Sequence, residues 1–215
     1  MLRELITNEW ITILFIVSLS TLTIAKYTYT TRFNEFLMVI GNSRYLKVYV
    51  REQKFIDLFE GLLFINFIIS ASIFYFIYYN TFIAPLEFSI LWFSKVFLAI
   101  GTILLIKVLL ERLIASVFRI DALIDSYLFQ KTNYKNYLGL ILLPINLLLI
   151  YSIDATPLLL YMVILILAIV NLIGFFTSVK TYQKSILDNL FYFILYLCAL
   201  EFGPYIILYK LLTNN

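Results

Sequence analysis

Residues 157–178 read PLLLYMVILILAIVNLIGFFTS, a run of 22 residues without an Asp, Glu, Lys or Arg. A helix of this length rises about 33 Å at 1.5 Å per residue, which matches the roughly 30 Å hydrocarbon core of a bilayer. The segment therefore predicts a transmembrane helix. Similar apolar runs lie on either side of it, so the sequence predicts the fold of a membrane protein.

The composition of the whole chain agrees with that prediction. Of its 215 residues, 63% are hydrophobic and 13% charged, and the mean hydropathy is +0.96. Soluble domains carry about 25% charged residues. We therefore expect one all-α integral membrane domain over residues 1–215, with no soluble domain. Its six transmembrane helices are predicted near residues 8–27, 57–78, 87–108, 137–153, 157–178 and 187–209.

The basic residues predict the orientation of these helices. Twelve of the sixteen lysines and arginines fall near the connections that follow the first, third and fifth predicted helices. Because positively charged connections stay in the cytoplasm, both termini are expected on the non-cytoplasmic side. The first helix should remain as an anchor, since cleavage after Ala25 would place the basic residues that follow it outside.

Two charged residues lie deep within the predicted spans, away from the span ends. Glu201 is in the sixth helix and Lys95 in the third, and both should come about 4 to 5 Å to the outer side of the membrane midplane. An unpaired charge at such a depth costs about 2.5 to 3.5 kcal/mol, so we predict that the two side chains pair. Two alternatives remain open. Either Lys95 reaches the outer head groups while Glu201 is protonated, or Glu201 carries protons or ions.

Other polar features of the spans predict local structure. Gly203 and Pro204 follow the intramembrane acid directly, and a helix kink is expected there because proline lacks a backbone donor. Asn66, Asn146 and Asn171 lie within other predicted spans. Amide side chains in such positions commonly form interhelical hydrogen bonds, and we predict this role for all three.

The sequence gives little support to catalysis or metal binding. The chain has no histidine and a single cysteine, Cys198, which excludes zinc hydrolases and oxygenases that rely on histidine ligands, and no cofactor is expected. Asp121 and Asp125 stand four residues apart on one helical face, a spacing that can hold Mg²⁺ against a diphosphate. They are a weak metal candidate, and a salt bridge with Arg119 or Lys131 is the favoured alternative.

Two longer connections are predicted to meet partners on the cytoplasmic side. Segment 28–54 combines apolar residues at helical spacing with basic residues, which suits contact with inner-leaflet head groups. Segment 112–135 is predicted to continue the third helix beyond the membrane, with Ile120, Ile124 and Leu128 as an apolar stripe. Membrane lipids and other envelope membrane proteins are the expected partners, and no nucleic acid is expected.

The segments YLKVYVRE (45–52), LYLCALEFGP (195–204) and YKLL (209–212) resemble an uncharacterised family of multispan inner-membrane proteins of Bacteroidota. The resemblance covers most of the chain and implies a multi-pass protein of the bacterial inner membrane without an assigned activity. Two functions stay open. The chain is a non-enzymatic scaffold or accessory subunit of a cell-envelope complex, or it is a small transporter or proton-coupled component that uses Glu201 and Lys95.

Overall fold

A computed structural model of the chain describes residues 9–39, 44–50, 57–181 and 183, and the regular structure within these ranges is helical. Five of the helices are long and apolar enough to cross a membrane: α1, α4, α5, α6 and α7. The prediction of an all-helical, multi-pass membrane protein is confirmed at this level. The helix bounds are α1 (Glu9–Thr28), α2 (Thr30–Leu37), α3 (Arg44–Tyr49), α4 (Leu58–Phe82), α5 (Ile90–Val117), α6 (Asp121–Tyr151) and α7 (Pro157–Thr181).

The first five predicted spans correspond to these five long helices, and the sixth, 187–209, lies outside the described residues. The largest difference in bounds concerns α6, which begins at Asp121 instead of near residue 137. The charges of Lys131 and Lys135 suggest a connection there when the sequence is considered alone. Because Lys131 forms an ion pair with Glu111 inside the protein, the helix continues through this charged stretch.

The third span ends in a tight reversal at residues 118–120. The backbone N–H of Ile120 donates to the carbonyl of Ala115 at 3.0 Å, and that of Arg119 donates to Ser116 at 3.2 Å. This is the Schellman pattern that closes a helix, and Arg119 takes the left-handed conformation that the pattern needs, with a φ of 56°. The third helix does run beyond its predicted end near residue 108, as far as Val117, but the prediction that this continuation carries Ile120, Ile124 and Leu128 is wrong. Ile120 packs in one buried cluster with Ala115, and α6 leaves as a separate helix.

The bundle is built around α4 and α6, with α1, α5 and α7 packed at its sides. A close approach between α4 and α6 occurs at Gly139, where an added Cβ atom would lie 2.5 Å from the Cα atom of Phe67. Another joins α6 to α7, where a Cβ atom on Gly174 would lie 2.6 Å from the ring of Tyr134. Glycine lets the backbones of α4 and α6 meet at the first position, and it leaves room for the Tyr134 ring against the backbone of α7 at the second.

The two ends of the bundle are packed differently. At the end where α4 finishes and α5 begins, which we call the aromatic end, Trp92 stacks on Tyr75 with ring centroids 5.9 Å apart and also contacts Phe76 and Tyr79. The opposite end, where α5 finishes and α4 begins, carries α2, α3 and a group of charged residues. We call it the basic end.

Candidate functional site

The short helices α2 and α3 fold back onto the bundle because their apolar residues find a place between α4 and α6. Phe33 and Phe36 of α2 and Leu46 of α3 are buried in one cluster with Phe59 of α4 and Phe129 of α6. The rings of Phe36 and Phe59 meet edge to face, with centroids 6.0 Å apart. This packing holds the polar residues of α2 and α3 against the start of α4 and the middle of α6.

Arg32 of α2 is the centre of a polar cluster at the basic end. Its Nη1 atom contacts Oδ2 of Asp57 at 2.5 Å, and its Nη2 atom contacts Oε1 of Glu60 at 3.3 Å. The guanidinium also lies over the rings of Tyr49 and Phe59, 4.9 and 4.7 Å from their centroids. A planar, permanently charged guanidinium can serve two carboxylates and two ring faces at once, which a lysine ammonium cannot do.

Tyr45 of α3 extends this cluster to α6. Its hydroxyl accepts a long hydrogen bond from Nε of Arg32 at 3.4 Å and donates to Oδ1 of Asn133 at 3.2 Å. Burial raises the pKa of the Tyr45 phenol, so the phenol stays protonated and keeps donating. Burial alone would lower the pKa of Arg32, but Tyr45 and Asp57 favour the charged form and the pKa is raised. The residues named the Arg32 cluster below are Arg32, Tyr45, Asp57, Glu60 and Asn133.

The two acids of the Arg32 cluster are positioned by the start of α4. Oδ1 of Asp57 accepts a hydrogen bond from the backbone N–H of Phe59 at 3.0 Å, which caps the helix. Nδ2 of Asn136 donates to the backbone carbonyl of Glu60 at 3.4 Å. Acidic side chains also match the positive end of the helix dipole. The Arg32 cluster therefore joins α2, α3, α4 and α6.

A second set of ion pairs joins α5 to α6. Oε1 of Glu111, a fully buried residue, contacts Nζ of Lys131 at 2.7 Å. Nε of Arg112 contacts Oδ1 of Asp125 at 3.4 Å. Removing one charge of a buried pair leaves the other charge uncompensated. The buried pair of Glu111 and Lys131 therefore favours one placement of α5 against α6.

A cavity of about 380 Å³ lies among α4, α5 and α6 at the basic end. Asp57 and Glu60 of α4 line one wall, while Arg112 of α5 and Lys135 of α6 contribute cations. A cavity of this size, with mostly apolar walls and a few polar groups, is typical of a small-ligand site. The arrangement supplies shape and charge for binding. Its main apolar residues are Phe64, Leu104, Leu105, Val108, Leu109 and Leu128.

The predicted site residues that the structure describes are spread over the bundle. Lys95 lies exposed on α5, one turn beyond Trp92. Asn66 is buried and accepts a hydrogen bond from the hydroxyl of Ser18 at 2.5 Å, which joins α4 to α1. The structure also joins α6 to α4, because Nδ2 of Asn146 donates to the backbone carbonyl of residue 70 at 2.7 Å.

Of the remaining predicted intramembrane residues, Asn171 is the one that the structure describes. Asn171 lies exposed on α7, beside a small pocket of about 80 Å³ between α6 and α7. Glu201, Gly203 and Pro204 lie outside the described residues. The charged layer formed by Glu201 and Lys95 and the helix kink therefore stay predictions.

The two aspartates considered for metal binding lie in the first two turns of α6. Asp121 is exposed, and Asp125 contacts Arg112. Within the described ranges, no three acidic, cysteine or histidine side chains come close enough together to hold a metal ion. Lys131, which the sequence suggested as a salt-bridge partner for these aspartates, is paired with Glu111. A metal at this pair stays a prediction.

Comparison with known protein families finds one family whose model matches most of the chain. The model of a domain of unknown function, DUF4271, matches residues 11–212. The chain belongs to the DUF4271 family. This confirms the expectation of a family without an assigned function. Neither the curated proteins nor the solved structures contain a match.

Sequence reasoning did not predict the Arg32 cluster of this DUF4271 protein. One local signal was present, because Asp57 and Glu60 have the Asp-x-x-Glu spacing that marks a helix start before an apolar run. No local pattern connects these acids to Arg32, which is 25 and 28 residues away from them. Glu111 and Lys131 likewise look like separate charges outside the predicted spans.

Proposed function

We propose that this chain is a multi-pass protein of the bacterial inner membrane that serves as a non-enzymatic scaffold or accessory subunit of a cell-envelope complex. The observation that carries the proposal is the exposed face of α5. Only 6% of the apolar stretch of α5 is buried, against 50% of that of α4. A helix of 28 residues that adds so little to the core of its own bundle is available to neighbours in the membrane.

Lys95 favours a protein over lipid alone as the neighbour of α5. It is exposed on α5 within the predicted third span, where an uncompensated charge costs about 2.5 to 3.5 kcal/mol. A transmembrane helix that carries a carboxylate at the same depth would remove this cost. Glu201 is the predicted source of that carboxylate within the chain, and a partner subunit with an intramembrane acid is the source that a scaffold would use.

The basic end offers a second contact surface in this proposal. The Arg32 cluster fixes α2 and α3, and Met38 and Val48 remain exposed beside it. Segments 28–54 and 112–135 are the proposed contacts for inner-leaflet lipids and other envelope proteins. The expected setting in Bacteroidota, which comes from the sequence resemblance, belongs to the same proposal.

Site-specific photocrosslinking in cells tests the scaffold role. A photoreactive residue in place of Leu98, which is exposed on α5, should give a discrete protein adduct. Lys95→Glu should abolish that adduct, because it reverses the charge that the partner recognises. The same photoreactive residue at Leu158, exposed on α7, is the matched control and should give mainly lipid adducts. Lipid adducts at both positions would contradict the proposal.

Glu201→Gln separates the scaffold from the alternative, a small transporter or proton-coupled component. Glutamine keeps the shape of the side chain but cannot release a proton in the physiological range. A lost proton-coupled flux into proteoliposomes, together with an unchanged adduct at Leu98, would favour the transporter. A protein that shows no such flux, and whose Leu98 adduct depends on Lys95, would fit the scaffold.

A further inference from the structure

The cavity among α4, α5 and α6 has no part in the scaffold role, yet its lining has a definite chemistry. Its walls combine the carboxylates of Asp57 and Glu60, the cations of Arg112 and Lys135 and an apolar surface from α5. The volume of about 380 Å³ lies in the range of small-ligand sites. A cavity of this volume suits the polar head group of a lipid together with the first carbons of its attached chains.

Among the residues that the structure describes, the formal charges that line the cavity balance, with two acids and two cations. A ligand with a net charge of either sign would upset this balance in a poorly solvated site, where the cost of an uncompensated charge is high. A zwitterionic ligand would preserve it. The lining acids are Asp57 and Glu60, and the lining cations are Arg112 and Lys135.

The two signs of charge lie on different helices. Both lining carboxylates come from the start of α4, whereas the lining cations come from α5 and α6. The site is therefore dipolar, with a negative wall and a positive wall. The charged groups are also held in place by the protein itself, since Arg32 reaches both acids from α2 and Arg112 contacts Asp125 at 3.4 Å.

The apolar wall of the cavity opens toward lipid. Leu105 and Leu109 line the cavity and are 54% and 56% exposed, so the cavity continues onto the outer surface of α5. A molecule with hydrocarbon chains could place its head group inside and its chains along this surface. The α4 wall is open beside Gly61, where an added Cβ atom would meet no atom within 4 Å.

We propose that this cavity binds the head group of one aminophospholipid. The ammonium group faces the acids of α4, the phosphate faces Arg112 and Lys135, and the acyl chains run along Leu105 and Leu109 of α5. This inference goes beyond the scaffold role and does not depend on it.

Native mass spectrometry of the full chain in mild detergent tests the proposal. Phosphatidylethanolamine and phosphatidylglycerol with identical acyl chains are titrated onto delipidated protein, and free phosphoethanolamine is added as a competitor. One phosphatidylethanolamine should bind per chain, at least about tenfold more tightly than phosphatidylglycerol, and equal concentrations of free phosphoethanolamine should not displace it. Equal affinity for the two lipids, no saturable binding, or displacement by the free head group would overturn the proposal.

Two variants locate the binding in the cavity. Gly61→Phe fills it and should lower the affinity for phosphatidylethanolamine at least about tenfold, whereas Gly61→Ala should bind like the wild type. If Gly61→Phe does not fold, Lys135→Gln takes its place and should weaken binding at least about fivefold. Lys180→Gln, at an exposed position of α7, is its matched control. Unchanged binding in the deciding variant would overturn the proposal.

Discussion

The basic end and the aromatic end of this bundle are held by different forces. At the basic end, charged and polar side chains from α2, α3, α4 and α6 meet around Arg32. At the aromatic end, rings of α4 and α5 pack around Trp92 with centroids 5.8 to 5.9 Å apart. The first arrangement is directional and selects which segments meet. The second fills space and tolerates exchange between apolar side chains of similar volume.

The difference follows from the solvent around each end. Lipid is about as apolar as a buried side chain, so moving a ring from lipid into protein gains packing but little hydrophobic free energy. A buried ion pair behaves otherwise, because loss of one partner leaves the other charge uncompensated. Single charged residues at the basic end should therefore contribute more to stability than single rings at the aromatic end.

Arg32→Ala is expected to have the largest effect, because it leaves Asp57 and Glu60 without their cation in a mostly buried site. The free energy of unfolding, measured by titration with SDS in mixed micelles, should fall by about 3 kcal/mol. Lys26→Ala removes an exposed lysine from the last turn of α1 and should change it by less than about 0.5 kcal/mol. Equal losses in the two variants would contradict the role given to the Arg32 cluster.

Gly139→Ala probes the contact between α4 and α6 that connects the two ends. The new methyl group would lie 2.5 Å from the Cα atom of Phe67, so the helices must separate, and the free energy of unfolding should fall by about 2 kcal/mol. Gly61→Ala adds the same group to open space. It should be neutral or stabilising by up to about 1 kcal/mol, because alanine favours helix. The same SDS titration compares them, and similar losses in both would mean that helix propensity, not the close approach, sets the result.

Hydropathy predicts the most apolar spans well because lipid forces every backbone polar group into a helix. Residues 157–178 could be assigned without any other information, and α7 runs over Pro157–Thr181. Hydropathy does not predict that the first half of α6 is part of the helix. Gln130, Asn133 and Asn136 are fully buried there, because α6 lies at the centre of the bundle. From the sequence alone, these amide residues suggest a polar loop between two spans.

The ion pairs could not be predicted because they depend on how the chain turns. Glu111 and Lys131 are 20 residues apart, and each alone suggests a charge that faces the head groups. The reversal at residues 118–120 brings them together. It uses Arg119 in a left-handed conformation that is usually taken by glycine, so no residue type marked it. The pairing of Lys95 with Glu201 stays a prediction.

Trp92→Leu tests how much the ring contacts at the aromatic end contribute to stability. The variant removes the ring contacts with Tyr75, Phe76 and Tyr79 but keeps an apolar side chain, so a loss of about 1 kcal/mol is expected. Trp10→Leu is the matched control, because Trp10 is exposed on α1, and it should leave stability nearly unchanged. The chain has two tryptophans, so each variant keeps one fluorescent reporter for the unfolding titration. A loss as large as that of Arg32→Ala would remove the difference between the two ends.

Ser18→Ala should have the smallest effect, because it removes one neutral hydrogen bond between the two ends. Its hydroxyl donates to Oδ1 of the buried Asn66 at 2.5 Å, and such bonds between membrane helices average about 0.6 kcal/mol. Ser20→Ala is the control, since that exposed hydroxyl donates to the carbonyl of Ile16 in its own helix. In the double variant of Ser18→Ala with Asn66→Leu, the free energy of unfolding should be closer to that of the wild type than in Ser18→Ala alone. The double variant leaves no buried amide oxygen without its donor. If the double variant is instead less stable than the single one, Asn66 contributes through packing and not through this hydrogen bond.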